Sequence, residues 1–398
     1  MPEVSRQMPK RRVGRYERVT AGGEKVDAFI PFNLPPARPA LIIDAKLEHR
    51  LQKAEQALRR LDLAGDMVPS LDWFIYAFVR KEAVVSSQIE GTQASLVDLL
   101  AFEAEEHPHA NADVEEVTNY LDALAYARRQ LESQRGLPLS VRLLNEAHKR
   151  LMRGVRGASK RPGEIRRSQN WIGGSRAGKA IYVPPPPDKL VPLLSAFEKY
   201  IHANDRLPKL VRTGLLHAQF ETIHPYPDGN GRIGRLMIAL LLEHWGFLKA
   251  PLLYLSLFFK RHREEYYQRL NLVRLEGDWE GWIDFFLDGV ATICNEGVSS
   301  ARELFNLLST DRTRLLGTES ASVSALRLFE RLPRYPIVTV ASTIKLLETS
   351  KPTATRAIEM LTGIGILVEM TGKKRDRSFA YRAYMERLRT GTELDVRR

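Results

Sequence analysis

The sequence predicts a mainly α-helical protein: a helical domain interrupted by one β-hairpin, followed by a C-terminal winged helix-turn-helix module. Three observations predict it. Apolar residues recur at helical spacing over most of the stretch from Lys46 to Glu296. Residues 162–187 break that rhythm with short β-favouring runs among glycines. Beyond Ser322, helical patterns joined by a turn precede two β-favouring runs around a basic tip.

A basic and Pro-rich segment, 1–45, comes first; its charged start reads as a solvated, frayed terminus, and Pro31 to Pro39 (P-F-N-L-P-P-A-R-P) as the entry to the helices. A helical region, 46–135, follows, with helices over Lys46–Leu63 and Leu71–Glu90. A third helix runs through Leu131, opened by the capping pair Asp113 and Glu116. In the core, 136–308, Ser140 caps a helix carrying Val141, Leu144, His148 and Leu151 on one side. Gln169–Ile172 and Ala180–Val183, around Gly173, Gly174 and Gly178, read as the hairpin, which ends in the stiff run Pro184–Pro187. Helices resume over Asp188–Ala203, Leu210–Ile223, Arg232–Trp245, Leu257–Arg274 and Trp279–Glu296. A polar linker, 309–322, leads to the module at 323–390. That module has helices over Ala325–Leu332, Val340–Leu347 and Thr353–Leu361, then β-runs at Ile366–Met370 and Phe379–Tyr381 around the basic loop Thr371–Ser378.

Composition excludes several classes. Of 398 residues, 44% are hydrophobic and 27% charged, as in ordinary globular proteins, and 26 Gly with 22 Pro rule out a collagenous or low-complexity chain. Cys294 is the single cysteine, so no intramolecular disulfide framework exists and a reducing cytosol is expected. Met1–Thr20 lacks the apolar stretch of a signal peptide, and the most apolar run, Leu236–Phe259, is interrupted by Glu243, His244 and Lys249. The expectation is a soluble cytoplasmic protein with no membrane partner. The net charge of +12 concentrates in 1–20 (+4), 151–167 (+5) and 371–398 (+5). Basic ends invite nucleic acid, with plain solvation as the alternative.

The chemistry concentrates in His224–Arg235, H-P-Y-P-D-G-N-G-R-I-G-R. Gly229, Asn230 and Gly231 can turn successive backbone N–H groups toward one point, and the helix they open has a positive dipole end, so the loop is an anion cradle. Arg232 and Arg235, one turn apart, suit a polyphosphate. Asp228 is a hard oxygen ligand for Mg²⁺ bridging phosphates. His224, which titrates near neutrality, is a ready general base.

This stretch resembles the signature H-x-F-x-[D/E]-G-N-G-R-x-x-R of the Fic family, with Tyr226 standing where the family usually has Phe. A buried aromatic tolerates the added hydroxyl if that hydroxyl finds a partner. The resemblance implies a protein adenylyltransferase that moves AMP from ATP to a protein hydroxyl and releases pyrophosphate. His224 would deprotonate the hydroxyl and Asp228 would hold Mg²⁺ or Mn²⁺. Gly229, Asn230, Gly231 and Gly234 would cradle the phosphates with Arg232 and Arg235. The hairpin Q-N-W-I-G-G-S…Y-V-P-P-P-P resembles the Fic flap, with Ile172 and Gly173 beside the nucleotide and an edge that pairs with an extended segment of the target. For the basic run at 151–167, a nucleotide or acidic-substrate role stands beside simple solvation.

Ser86–Gly91, S-S-Q-I-E-G, resembles the inhibitory motif [S/T]-x-x-x-[E/D]-[G/N] of self-restrained Fic proteins with an N-terminal inhibitory helix. The resemblance implies that Glu90, one turn from Ser86, draws Arg235 off the γ-phosphate and possesses the means to assist removal of AMP. Tyr266 and Tyr267 in E-E-Y-Y-Q-R-L are candidates to line the adenine, with helix packing as the alternative for at least one. In the C-terminal module, Thr353, Thr355 and Arg356 are placed for DNA contact, with Lys373, Lys374, Arg375 and Arg377 near phosphate; protein docking or dimerisation is the other reading. Two function classes therefore stand. One is an autoinhibited adenylyltransferase that modifies a target protein and itself. The other is a DNA-binding regulator that senses nucleotide. An intact His224 favours the enzyme, because a sensor needs no base.

Overall fold

The computed structural model describes residues 11–67, 71–104, 111–154, 158–318, 322–372 and 377–394. Strands β1 (Gly14–Ala21) and β2 (Glu24–Pro31) open the chain, followed by α1 (Ala45–Met67), α2 (Leu71–Ile89), α3 (Leu96–Ala104), α4 (Ala112–Glu132) and α5 (Val141–Leu151). Then come α6 (Pro187–His202), α7 (Lys209–Ile223), α8 (Asn230–His244), α9 (Ser256–Arg261), α10 (Arg263–Glu276) and α11 (Trp279–Leu316). The chain closes with α12 (Val323–Arg331), β3 (Ile337–Thr339), α13 (Val340–Leu347), α14 (Lys351–Gly363), β4 (Val368–Glu369), β5 (Ser378–Ala380) and α15 (Arg382–Arg389). Two compact units result, one from residues 1–56, 122–247 and 261–291, the other from 57–121, 248–260 and 292–398.

In the first unit, α7 and α8 are buried along nearly their whole lengths. Gly214 lets α7 approach α11 closely: a Cβ there would stand 2.8 Å from Ile283 Cδ1, and Trp282 Nε1 donates to the Gly214 carbonyl at 2.8 Å. The expectation of a solvated, frayed start over residues 1–20 fails from Gly14 onward, where β1 pairs with β2 in an antiparallel hairpin in register from Gly14↔Pro31 to Ala21↔Glu24. Its turn is Gly22-Gly23, both at positive φ, as a two-residue turn matching strand twist requires. Arg11, just ahead, is buried and spends all five guanidinium N–H groups. It bonds the Pro39, Ala40 and Gly277 carbonyls and both oxygens of Glu280, at 2.6–2.9 Å.

The second unit holds an antiparallel sheet in the order β3-β5-β4, with Ile337 opposite Ala380 and Val368 opposite Ala380 on the other side. Thr339 and Ser342 close a reciprocal capping box on α13. Against α2 lies α15, where Trp73 meets Tyr384 edge to ring at 6.3 Å.

Several element boundaries differ from the sequence reading. The stretch expected to be a linker is helical as far as Leu316, because Asp311 is buried there and accepts the Tyr381 hydroxyl at 2.5 Å. The cap of α4 is Asn111, whose Oδ1 accepts from Val114 N, while Asp113 accepts from Gln93 N and Glu116 from the Thr92 hydroxyl. The long helix expected over Leu257–Arg274 is two, α9 and α10. Ser140 caps α5 as expected.

Candidate active site

The signature occupies the turn from α7 to α8, inside the first unit. His224 ends α7 in the left-handed region (φ 50°, ψ 61°), donating its N–H to Phe220 O at 2.9 Å. A non-glycine residue there carries strain of order 1 kcal/mol. Asp228 Oδ1 accepts the Gly229 N–H, and Gly229 opens α8 at φ +76°, where a Cβ would press on Met152 Sδ at 3.0 Å. Asn230 closes the loop: its Oδ1 accepts from Tyr226 N and its Nδ2 donates to Tyr226 O, both at 2.8 Å. Its side chain thus shapes the loop, and the first-turn amides of α8 remain without intrahelical acceptors. Arg232 and Arg235 are both buried, and Arg232 stands 3.8 Å from Asp228 Oδ1. The extra hydroxyl of Tyr226 has its partner, Asn145 Oδ1, at 2.8 Å.

Two residues hold this loop by its main chain: His148, which the sequence reading gave no role in the site, and Arg166, read there only as part of the basic run at 151–167. His148 of α5 stacks on the Tyr226 ring at 3.9 Å. Its Nδ1 accepts the Gly163 N–H at 2.9 Å, so the ring proton sits on Nε2 and is donated to Asp228 O at 3.0 Å. Burial pushes its pKa down to about 4, with Arg232 adding to the effect. Arg166 donates from Nε to His224 O at 3.0 Å, from Nη1 to Ser168 O at 3.2 Å and from Nη2 to Pro185 O, while its own N–H bonds Pro225 O at 2.9 Å. Burial among neutral carbonyls lowers its pKa to about 10. His217 of α7, bonded to Gly234 O at 3.1 Å and to the Tyr266 hydroxyl at 2.9 Å, is pushed by burial to about 3.

Both histidines are neutral when folded and protonate near pH 6.5 when unfolded, so stability is full above that pH and falls as pH drops toward 4. Each should remove about 2 kcal/mol between pH 7 and pH 5. Urea unfolding at those two pH values checks this: His148→Gln should show about half the wild-type loss, and an equal loss in both proteins would refute the assignment to His148.

The flap differs from expectation. Residues 169–183 form no strands, only a bridge between Ile172 and Tyr182 and a 3-10 turn over Ala177–Lys179, since the left-handed Gly173 and Gly174 break extended pairing. Its returning arm instead meets the second edge of β2, where Phe29 N donates to Val183 O at 2.9 Å. Ala21, Val26 and Ala28 of the hairpin bury against Ala177 and Val183. At the tip, Glu24 takes both Arg176 and the Gly178 N–H. Gly173 is exposed.

Tyr266 is 1% exposed and bonded to His217, so it is a packing tyrosine and its ring has no open face for an adenine; Tyr267 is 44% exposed. Ser86 and Glu90 belong to the second unit. Ser86 is fully buried on α2, and Glu90 is exposed one residue past its end, its N–H on Ser87 O at 3.0 Å. Lys373, Lys374 and Arg375 lie outside the described residues; Arg377 pairs with Glu369.

Comparison with known proteins follows the same residues. Positions 49–129 match the family described as Fic/DOC family N-terminal, and 138–242 match the Fic/DOC family. A relative named protein adenylyltransferase Fic from Culex quinquefasciatus is 33% identical over 152 residues, 38% of this chain and 27% of that protein. Its namesake from Aedes aegypti is 28% identical over 254 residues, 61% of this chain and 47% of that protein. The chain thus spans from about a quarter to about half of the length of these relatives. A Fic family protein from Desulfovibrio desulfuricans G20 shares the fold, with a TM-score of 0.55 at 19% identity, covering 85% of this chain and 97% of its own. Fic-1 from C. elegans follows with a TM-score of 0.50 at 20% identity, over 64% of this chain and 73% of its own. With the signature turn joining the two deeply buried helices α7 and α8, residues 49–129 form a Fic/DOC family N-terminal region and residues 138–242 a Fic/DOC family domain.

Proposed function

We propose that the protein is an autoinhibited adenylyltransferase that transfers AMP from ATP to a hydroxyl side chain of a target protein and to itself. The observation that carries this reading is the α7–α8 turn: a histidine held at a fixed backbone angle beside an amide-lined helix start and two buried arginines. Relatives that match 38% and 61% of this chain carry the name protein adenylyltransferase Fic.

His224 takes the proton from the target hydroxyl, whose oxygen attacks the α-phosphorus. The new O–P bond forms as the bond between the α-phosphorus and the bridging oxygen breaks, and pyrophosphate leaves with that oxygen. The first-turn amides of α8 meet the charge on the α-phosphate. Arg232 and Arg235 hold the β- and γ-phosphates. Asp228 fits a magnesium or manganese ion: one of its oxygens is committed to Gly229 N, and the other, partly exposed, faces Lys160 at 3.8 Å. A single carboxylate completed by phosphate oxygens and water is the usual setting for Mg²⁺. Held by Asp228, such an ion would supply neutralisation of phosphate charge. Ile172, Gly173 and Tyr267 flank the nucleotide, and the flap aligns the target chain.

Glu90 and Ser86 restrain the site. The C-terminal elements from α12 to β5 are read as a winged helix that docks protein or DNA, with Thr353, Thr355 and Arg356 on α14. No helix among the described residues is long and apolar enough to cross a membrane. ATP labelled on the α-phosphate tests the reaction: label should pass to protein, and ATP labelled on the γ-phosphate should leave none. Transfer of the γ-label instead would replace AMP transfer with phosphorylation.

A further inference from the structure

We propose that Arg166 is a positioning residue that locks His224 to both ends of the flap, so that the base and the docked target hydroxyl share one frame. This rests on the adenylyltransferase reading and deepens it. His224 sits in a strained left-handed conformation that its own N–H bond to Phe220 O fixes from one side only. On the other side, the His224 carbonyl is held by Arg166 Nε at 3.0 Å and the next carbonyl, that of Pro225, by the Arg166 N–H at 2.9 Å. The same guanidinium takes Ser168 O, where the flap departs, and Pro185 O, where it returns. Arg166 is 3% exposed, so these bonds are made out of water, where a lost partner leaves a costly unpaired carbonyl. The three carbonyls are reached from three separate nitrogens of one planar fork; the donors of an ammonium all leave one nitrogen and do not span them.

The test compares Arg166→Lys with its parent, in the full chain and in the Glu90→Gly background. Self-transfer of α-label should fall about 100-fold, the cost of a misplaced catalytic group, while the dissociation constant for ATP changes less than about twofold. Guanidinium ion added to Arg166→Gly should restore part of the rate. A merely structural role would weaken ATP binding and transfer together and show no rescue; that pattern, or a rate within about threefold of the parent, overturns the proposal. If the parent transfers no AMP, the function fails by itself. The positioning is then read from the His224 imidazole by NMR: an unchanged resonance in Arg166→Lys refutes it, and a shifted one supports it.

A second observation stands apart from the first. Gln88, inside S-S-Q-I-E-G, donates from Nε2 to Ala94 O and to Thr392 O, both at 3.0 Å, and its Oε1 accepts from Lys260 Nζ at 3.0 Å. Lys260 also bonds Glu393 O, and Thr392 is 2% exposed. We infer that the chain just after α15 clamps the end of α2 and thereby keeps Glu90 in its inhibitory place. This rests on the inhibitory reading of Glu90. Gln88→Leu should raise self-transfer at least about fivefold in the wild type and add nothing in Glu90→Gly. Activation by Glu90→Gly without activation by Gln88→Leu refutes the clamp alone. If neither activates, inhibition itself falls. Hydrogen exchange then decides the clamp: Gln88→Leu should speed exchange at Glu90, Gly91 and Thr92, and unchanged rates refute it.

Discussion

Replacing His224 with alanine is expected to abolish AMP transfer while leaving ATP bound with its affinity changed less than about twofold. A positioned general base contributes about 10²- to 10⁴-fold, and the other two titratable side chains of the turn are engaged elsewhere, the Tyr226 hydroxyl with Asn145 and Asp228 with the Gly229 N–H. The phosphate contacts assigned to the α8 amides, Arg232 and Arg235 are untouched by the change. Alanine, however, tolerates the left-handed backbone at residue 224 poorly. His224→Asn is therefore the sharper variant, because asparagine accepts that conformation and cannot act as the base. Both variants should lose transfer alike. Transfer retained in His224→Asn would refute the base assignment, and transfer lost in alanine alone would trace the effect to the backbone.

Replacing Glu90 with glycine is expected to raise self-modification on the order of 5- to 150-fold, the range of an ordinary coupling free energy of 1–3 kcal/mol. Glu90 is exposed and lies beyond the last residue of α2, where the backbone is already tied by Ser87 and Gln88 carbonyls. The substitution should therefore leave the melting temperature nearly unchanged, and Glu90→Gln should activate almost as strongly if the carboxylate charge is what matters. An unchanged rate in both, measured with α-labelled ATP, would remove the inhibitory role.

The reactive turn was legible because its chemistry is contiguous. Twelve neighbouring residues bring the base, the cradle and both arginines together whatever the rest of the chain does. Arg166 and His148 were not legible in the same way. Their partners are the main-chain carbonyls of His224 and Asp228, and no side-chain spacing encodes where a distant carbonyl will point. The N-terminal hairpin is a different case. Alternation in G-R-Y-E-R-V-T-A and E-K-V-D-A-F-I-P around Gly22-Gly23 was present, yet its charged residues favoured a solvated reading. The flap failed in the opposite direction, since its β-favouring residues bury against the hairpin and β2 rather than pairing with each other at length. At 309–316 a polar surface hid a helix whose inward side carries Asp311 and Leu315.

The clasp of Arg11 has a consequence for the order in which this protein matures. Its partners Gly277 and Glu280 lie 266 and 269 positions later in the chain. At ribosomal speeds of about 5–20 residues per second, roughly 15 to 50 s separate the emergence of Arg11 from that of its last partners. The flap that covers the hairpin emerges in that interval too. Until then β1 and β2 are a two-stranded ribbon with one apolar face, too small to persist alone in water. The hairpin is therefore made long before its partners and is among the last parts of its unit to be fixed, and the flap gains its backing only as the unit closes.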